Sequence, residues 1–309
     1  MKKMVLFLAL IGSFLSILLF PQVTFEGASN GLLLWYRSII PTLFPFVVLS
    51  NLFIRTNGAA FLSRFIGPVI TRIFGVSNEG SFAILTGFLC GYPMGAKTTA
   101  DLVCASYISK KEGAYLLSFC NNTSPMFMIS YVLLQQIGRK DIVLPSLCIL
   151  IASPILCSFF FRPFYRLRKD VASLSKEKSL SFRFSYVDGA IMDGFETITK
   201  VGGYIILFSV LLNFFSILPW KHIFLVSVLF PSVEITGGIA FILKHIFSFE
   251  TLYVPIMALT SFGGWCSIAQ TKSMIAKANL PIFPYIIEKL ITALVTSLLS
   301  FCYLQFILT

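Results

Sequence analysis

Long apolar runs, most of them interrupted, are the feature that most constrains what this chain can fold into. Residues 4–20, 31–54, 142–161 and 283–308 form runs near the length of a membrane-spanning helix, which needs about 20 apolar residues. Only 12% of the 309 residues are charged, against roughly 25% in a typical soluble domain. This pattern excludes a disordered chain, a secreted disulfide scaffold and most soluble enzymes. It predicts an all-α polytopic membrane protein that is surrounded by the lipid bilayer.

The charges are concentrated in one place. The chain carries a net charge of +11, and seven Lys or Arg residues fall within 162–183, where the hydrophobicity collapses. In a membrane protein such an excess marks cytoplasmic loops, so we predict no nucleic-acid partner. We interpret 162–198 as a basic cytoplasmic linker between a first repeat, 31–161, and a second repeat, 199–309. Residues 1–30 are predicted to form an N-terminal membrane anchor span with a cytoplasmic N-terminus.

The segment 81–107 is apolar but is broken at residues 91–95, with the sequence GYPMG. If it crossed the membrane completely, the basic linker would lie outside, against the positive-inside rule. If it turns back at the break, every large basic cluster stays inside, and both termini are cytoplasmic. A re-entrant hairpin is allowed only where its tip is buried in protein or lines a cavity. We therefore expect a hairpin and a cavity.

The second half of the chain also contains an apolar segment that is interrupted at glycines. Residues 264–271 align without gaps with residues 91–98, three of the eight positions are identical, and Trp265 and Gln270 face Tyr92 and Lys97. Paired interrupted segments of this kind indicate a midplane binding site in an inverted-repeat transporter. The prediction is an inverted repeat with two re-entrant helical hairpins and broken helices, with about six full spans plus the two hairpins. Whether the hairpins are re-entrant or full spans stays open.

Several motifs resemble one known family. They are Leu34-Trp35, the run 40–46 (IPTLFPF), the run 91–97 (GYPMGAK) and the run 119–125 (FCNNTSP). The chain resembles the sporulation integral membrane proteins of the YlbJ (SpoVV) type, which carry the nucleoside recognition or Gate domain. That domain is distantly similar to the core of concentrative nucleoside transporters, with two hairpins and two broken helices around the substrate. The resemblance implies residence in the bacterial cytoplasmic membrane or the outer forespore membrane. It also implies a role in spore formation, with movement of dipicolinic acid across the outer forespore membrane.

Lys97 is the first candidate for a substrate contact. A charge at membrane depth costs at least ~2.5 kcal/mol near the centre, so it needs a partner or a polar cavity. Followed by Thr98 at a helix start, Lys97 suits an anion such as dipicolinate better than a neutral nucleoside. The alternative is a lysine that snorkels to the interface or pairs with Asp101 one turn on.

Two other places combine polar residues with helix breakers. Asn121, Asn122 and Ser124 precede Pro125, and they either coordinate substrate or satisfy the backbone of a kink. Glu234 lies between Pro231 and two glycines. It is interpreted as a buried partner of Lys97 or Arg37, as a proton-coupling group, or as an interfacial acid outside the site.

No cofactor or enzymatic chemistry is predicted. The seven cysteines form no CxxC pair, and the sequence has no HExxH, GxSxG or Walker A motif. We therefore expect a non-enzymatic protein without a metal site, whose coupling ion, proton or sodium, is undetermined, as are the direction of transport and the oligomeric state. Self-association into a homo-oligomer is left open.

These inferences lead to one preferred function. It is a membrane transporter of a small anionic metabolite, dipicolinic acid in sporulation, with a nucleoside-type transporter or a non-transporting scaffold for spore cortex or envelope assembly as alternatives. The candidate substrate-binding residues are Gly91, Tyr92, Pro93, Gly95, Lys97, Thr98, Asn121, Asn122, Ser124, Glu234, Gly264, Trp265 and Gln270.

Overall fold

A computed structural model of the chain describes residues 2–167, 182–217, 229–245 and 248–308. Within these residues the protein is built of helices joined by short turns, and no strand occurs. Five helices are long and apolar enough to cross a membrane, or up to six if one sharply bent pair counts as a span. The predicted all-α polytopic class is confirmed.

The first half contains nine helices among the described residues. They are α1 (Lys2–Leu19), α2 (Pro21–Leu34), α3 (Ile40–Arg55), α4 (Gly58–Phe74), α5 (Asn78–Cys90), α6 (Met94–Cys104), α7 (Lys110–Cys120), α8 (Pro125–Phe127) and α9 (Val143–Tyr165). A π-helical turn at Trp35–Ile39 joins α2 to α3, which together make the candidate span Pro21–Arg55. A second π-helical segment, Met128–Ile137, continues α8. The predicted first span at 4–20 is helical as part of α1, but it is not among the five candidate spans.

The second half contains five described helices. They are α10 (Phe184–Ser216), α11 (Ile235–His245), α12 (Phe249–Phe262), α13 (Gly264–Ile275) and α14 (Ile282–Tyr303). Helix occupies both ends of the predicted linker 162–198, because α9 reaches Tyr165 and α10 begins at Phe184. Residues 168–181, which hold the middle of that linker, lie outside the described residues.

Helices α4 and α5 meet at a sharp corner. The second half of α4, Gly67–Phe74, and α5 are bent by 90°. Gly75, in the left-handed region with φ 69°, ends α4, and the Ser77 hydroxyl accepts a hydrogen bond from the Gly80 amide to start α5. The glycine and the serine cap therefore set the direction change between α4 and α5.

The predicted first hairpin is present. Helices α5 and α6 pack against each other and are joined by residues 91–93, which we call the hairpin tip. Gly87 and Gly95, one on each helix, both lie against the backbone of Cys120 at the end of α7, where neither has room for a Cβ. The two glycines therefore let the hairpin close tightly around the end of α7.

The second hairpin, predicted at residues 264–271, is not formed there. Residues 263–264, which we call the second break, interrupt a stretch, Phe249–Ala278, that has the length and apolarity of one crossing. The chain does not fold back there, so 264–271 is not the counterpart of the hairpin tip. The alignment of 264–271 with 91–98 misled because both begin with a glycine, whereas Gly91 ends a hairpin arm and Gly264 interrupts a continuing helix.

The turn 231–234, which we call the second turn, precedes α11 and is hydrogen-bonded to the second break. The amides of Trp265 and Cys266, beside the second break, donate to the carbonyls of Ser232 and Val233 at 2.7 and 3.0 Å. Likewise the Tyr92 amide in the hairpin tip donates to the Asn122 carbonyl at 2.6 Å. In each half, therefore, one turn is hydrogen-bonded to one broken helix.

Candidate functional site

Four interruptions of the helices meet in the middle of the molecule. They are the hairpin tip, the break 121–124 between α7 and α8, which we call the first break, the second turn and the second break. Thr123 joins the two halves, since its hydroxyl donates to the Thr260 carbonyl of α12. Gly263 lies so close to the Tyr92 ring that an added Cβ would be 2.9 Å from a ring carbon. The hairpin tip and both breaks thus form one connected region.

A cavity of about 400 Å³ opens beside this region, within the roughly 300–1,000 Å³ typical of small-molecule sites. Most of the polar residues that line it carry a hydroxyl or an amide side chain. They are Ser38, Thr42, Tyr92, Thr123, Ser124, Ser130, Tyr131, Gln135, Thr236, Ser267 and Gln270. Aromatic rings contribute flat apolar surface, and those of Phe127 and Tyr131 stack with their centroids 5.0 Å apart. Such a lining suits a small planar solute with several hydrogen-bonding groups.

Glu234 is the one charged side chain among the described residues that line this cavity. Its carboxylate accepts hydrogen bonds from the amides of Thr236, at 3.1 Å, and Gly237, at 2.9 Å, and from the Thr236 hydroxyl. It therefore caps the N-terminus of α11, where the helix dipole stabilises a negative charge. Neither Lys97 nor Arg37, the partners considered from the sequence, forms an ion pair with it among the described residues.

Glu234 also lies at the boundary of two cavities. A second cavity of about 520 Å³ is also lined by Glu234, Thr236 and Tyr131, together with Lys244 and polar residues of α2 and α10. The Tyr131 hydroxyl donates to the Thr236 carbonyl at 3.3 Å. The first and second halves of the chain thus meet where the two cavities adjoin.

Asn121 holds the first break to three other elements. Its side chain is fully buried, accepts from the Ala96 amide of α6 at 3.2 Å, and donates to Thr271 of α13 at 2.9 Å. It also donates to the Tyr285 hydroxyl of α14 at 2.8 Å. One amide side chain therefore fixes the hairpin, the second half of the broken span and the last span around the first break.

Lys97 is placed away from this cavity. Its ammonium donates to Asp101 at 2.7 Å and to the Asn51 side chain at 2.6 Å, and Asp101 is shared with Lys277. Thr98 is within hydrogen-bonding distance of the Ser50 hydroxyl of α3, at 3.2 Å. The pair with Asp101, which was the alternative reading of Lys97, is present, whereas the proposed contact with substrate stays a prediction.

The predicted site residues fall into two groups. Those that line the cavity are Tyr92, Ser124, Glu234 and Gln270. The others shape or hold the surrounding backbone, and they are Gly91, Pro93, Gly95, Lys97, Thr98, Asn121, Asn122, Gly264 and Trp265. Trp265 is 40% exposed and meets Phe262 edge-on, so its ring points away from the cavity lining.

Sequence reasoning missed Lys289 and several residues of the cavity lining. The missed lining residues include Ser38, Thr42, Tyr131, Gln135 and Ser267, which carry no signal in the sequence because they are scattered polar residues in apolar helices. Lys289 did carry one, since it interrupts the apolar run 283–308, and an ionisable residue in such a run indicates function by default.

Two comparisons with known proteins agree with the motifs. Residues 36–140 match the Gate family, described as "Nucleoside recognition", and this stretch contains the hairpin tip and the first break. The chain is also 25% identical to the "Sporulation integral membrane protein YlbJ" of Bacillus subtilis (strain 168), over 88% of this chain and 75% of that protein. No solved structure gives a significant match. The resemblance is confirmed: the chain contains a match to the nucleoside recognition Gate domain and is similar, over most of its length, to a sporulation integral membrane protein.

Proposed function

We propose that this protein is a transporter that moves a small aromatic metabolite across a membrane during sporulation, with dipicolinic acid as its substrate. The observation that carries the proposal is the cavity at the meeting point of two turns and two broken helices. Broken helices whose ends face a central cavity are a recurring way to bind substrate in transporters. The similarity to a sporulation membrane protein supports the biological setting.

The charge of the cavity restricts the form in which dipicolinic acid enters. Glu234 is the only described charged residue of the lining, so a bare dianion would meet a carboxylate and no cation. Like charges at close range in a low-dielectric site repel strongly. The proposal is therefore that dipicolinic acid enters with its own protons or with a bound cation, and that the hydroxyl and amide groups of the lining bind its carboxyl oxygens.

A nucleoside is the second candidate, and a specific observation favours it. The lining of neutral hydroxyls, amides and aromatic rings around one carboxylate suits a neutral ribose and base without any accompanying cation. The family description of residues 36–140 points the same way. Glu234 would then accept hydrogen bonds from sugar hydroxyls.

The orientation is also a proposal. Both termini and the basic linker are placed on the cytoplasmic side, because that arrangement keeps the largest cluster of Lys and Arg inside. The membrane is proposed to be the bacterial cytoplasmic membrane, or the outer forespore membrane that derives from it. Labelling of single cysteines in the linker and at the C-terminus of intact cells measures this, and access from outside would contradict it.

The deciding experiment is uptake of labelled dipicolinate and labelled uridine into proteoliposomes that contain the full chain. We expect saturable dipicolinate uptake that an inward proton gradient increases, and recovery of unchanged dipicolinate from the lumen, since the protein is proposed to be no enzyme. Saturable uptake of uridine alone would establish the second candidate. Absence of saturable uptake of both solutes by folded, reconstituted protein would contradict a transporter.

Matched variants tie uptake to the cavity. Glu234→Gln keeps the shape of the side chain but removes its charge, so we expect a changed KM for the transported solute. Glu196→Gln is the control, because Glu196 is an exposed acid of α10 that pairs with Lys200 one turn away. Equal effects of the two substitutions on KM would argue against Glu234 as part of the binding site.

A further inference from the structure

The buried ammonium of Lys289 has no part in the function proposed above. Lys289 lies within α14, and its side chain is 1% exposed. Its Nζ donates to the Asn121 carbonyl at 3.2 Å and to the Asn122 side-chain oxygen at 3.1 Å. Neither partner is an acid, and Lys289 forms no ion pair within the part of the chain that the structure describes. A charge at this depth needs compensation from its surroundings.

The compensation comes from the end of α7. A helix leaves its last carbonyls without intrahelical partners, and its C-terminus carries a partial negative charge. Two of the carbonyls here are satisfied by other groups, since the Phe119 oxygen accepts from the Asn122 side chain and the Asn122 oxygen accepts from the Tyr92 amide. The Asn121 oxygen is bonded by Lys289. The ammonium thus completes the hydrogen bonding of the first break and lies at the negative end of a helix.

These are the ligands that a cation would use. In transporters with broken helices, unwound carbonyls and the C-terminal ends of half-helices coordinate the coupling ion. Here a backbone carbonyl, an amide oxygen and a helix C-terminus surround an ammonium that is covalently attached to the chain. Lys289 does not line the cavity, whereas Thr123 and Ser124 of the first break do.

We propose that Lys289 is a built-in cation that occupies, at the first break, the place of a bound sodium ion, so that the protein requires no sodium. The part that concerns ion binding stands on the geometry around Lys289 alone. The part that concerns transport rests on the proposed function. The two parts are tested by separate measurements, so that either can fail without the other.

The first measurement is the thermal stability of the purified full-length protein in sodium chloride and in choline chloride at equal ionic strength. We expect the wild type to have the same Tm in both salts. Lys289→Ala removes the ammonium and leaves space, so its Tm should be lower and sodium should raise it. Lys289→Met fills the space without a charge, so its Tm should be lower and equal in both salts.

Lys272→Ala is the matched control, because Lys272 is an exposed lysine of α13. Its Tm should equal that of the wild type in both salts. A wild type that sodium stabilises would overturn the proposal, as would a Lys289→Ala protein with the Tm of the wild type in choline. If Lys289→Ala yields no folded protein, the wild-type comparison of the two salts still decides the matter.

The second measurement is uptake into proteoliposomes of whichever solute the wild type transports. Wild-type uptake should be equal in sodium and choline, and Lys289→Ala uptake should fall about tenfold in choline, because a buried carbonyl loses its donor. Sodium should restore part of that loss. Wild-type uptake that depends on sodium would overturn the proposal. A protein without any uptake, but with the expected Tm pattern, would refute the transport function and leave the role of Lys289 intact.

Discussion

The two broken helices satisfy their interrupted backbones in different ways. At the first break, side chains supply the hydrogen bonds. The Asn121 side chain bonds to three other elements, and the Lys289 ammonium donates to the Asn121 backbone carbonyl. At the second break, Gly263 and Gly264 adopt φ values of 85° and 79°, and the following amides bond directly to carbonyls of the second turn. The difference has a physical reason. The end of α7 presents carbonyls, which need donors, whereas the start of α13 presents amides, which backbone carbonyls can satisfy.

This comparison predicts that the two breaks respond differently to substitution. The first break should depend on the chemistry of its side chains and tolerate changes in backbone freedom. The second break should depend on the absence of a Cβ and tolerate changes in nearby polarity. Substitutions at each break test this contrast.

The largest effect is expected for Asn121→Leu, which keeps the volume of the side chain but removes its hydrogen bonds. It leaves the Ala96 amide without its acceptor and removes the donor to Thr271 and Tyr285 in a buried region. Each buried group that loses its partner costs about 1–3 kcal/mol, so we expect a loss of about 3 kcal/mol or more in unfolding free energy. Denaturation of the purified protein measures it.

Asn30→Leu is the control for that substitution, because Asn30 is an exposed asparagine of α2. Its unfolding free energy should differ little from that of the wild type. If Asn121→Leu were as stable as Asn30→Leu, the first break would not be held by side-chain hydrogen bonds, and the contrast between the breaks would disappear.

An intermediate effect is expected for Gly263→Ala at the second break. A left-handed residue with a Cβ costs roughly 1–2 kcal/mol, and the new Cβ would also crowd the Tyr92 ring. Gly138→Ala separates the two causes, since Gly138 has φ 76° but open space around it. Gly203→Ala, on α10 with open space and no positive φ, should have no cost. We expect Tm to fall most for Gly263→Ala, less for Gly138→Ala and not at all for Gly203→Ala. Equal losses at Gly263 and Gly138 would show that the contact with Tyr92 is unimportant.

The smallest effect is expected for Lys97→Gln, outside both breaks. Asp101 keeps Lys277 as a partner, and a glutamine amide can still donate to Asn51, so we expect a loss of about 1 kcal/mol in unfolding free energy. The KM for the transported solute should be unchanged, because Lys97 does not line the cavity. A raised KM with an unchanged Tm would instead support the contact with substrate that the sequence predicts.

Much of the fold could be predicted from local sequence. The all-α polytopic class follows from apolar runs, and the first hairpin follows from a Gly-Pro break combined with the distribution of basic residues. The first break at Asn121 was also recognised, because polar residues before a proline are conspicuous in an apolar segment. The hairpin predicted at Gly263-Gly264 is absent, since a Gly-Gly pair interrupts a helix without specifying whether the chain turns back.

The candidate site was predictable only in part, and the reason is the distance along the chain between the groups that meet. Tyr92, Ser124, Glu234 and Gln270 were named from local breaks, and the structure brings them to one cavity. The partners of Lys97 and Glu234 were undecided, because several distant groups could have reached each of them. In the structure, Lys97 pairs with Asp101, one turn away on the same helix. Glu234 accepts a hydrogen bond from the Thr236 backbone amide at the start of α11.

The sequence by itself determined that this is an integral membrane protein, that it is helical and that its helices are interrupted where glycine, proline or polar residues occur. These properties depend on hydrophobicity and on backbone breakers, which act locally. Only the tertiary structure decided which breaks face each other, that the cavity contains a carboxylate and no described cation, and that Lys289 bonds to the end of α7. These properties depend on contacts between residues more than 100 positions apart, which the packing of whole helices creates.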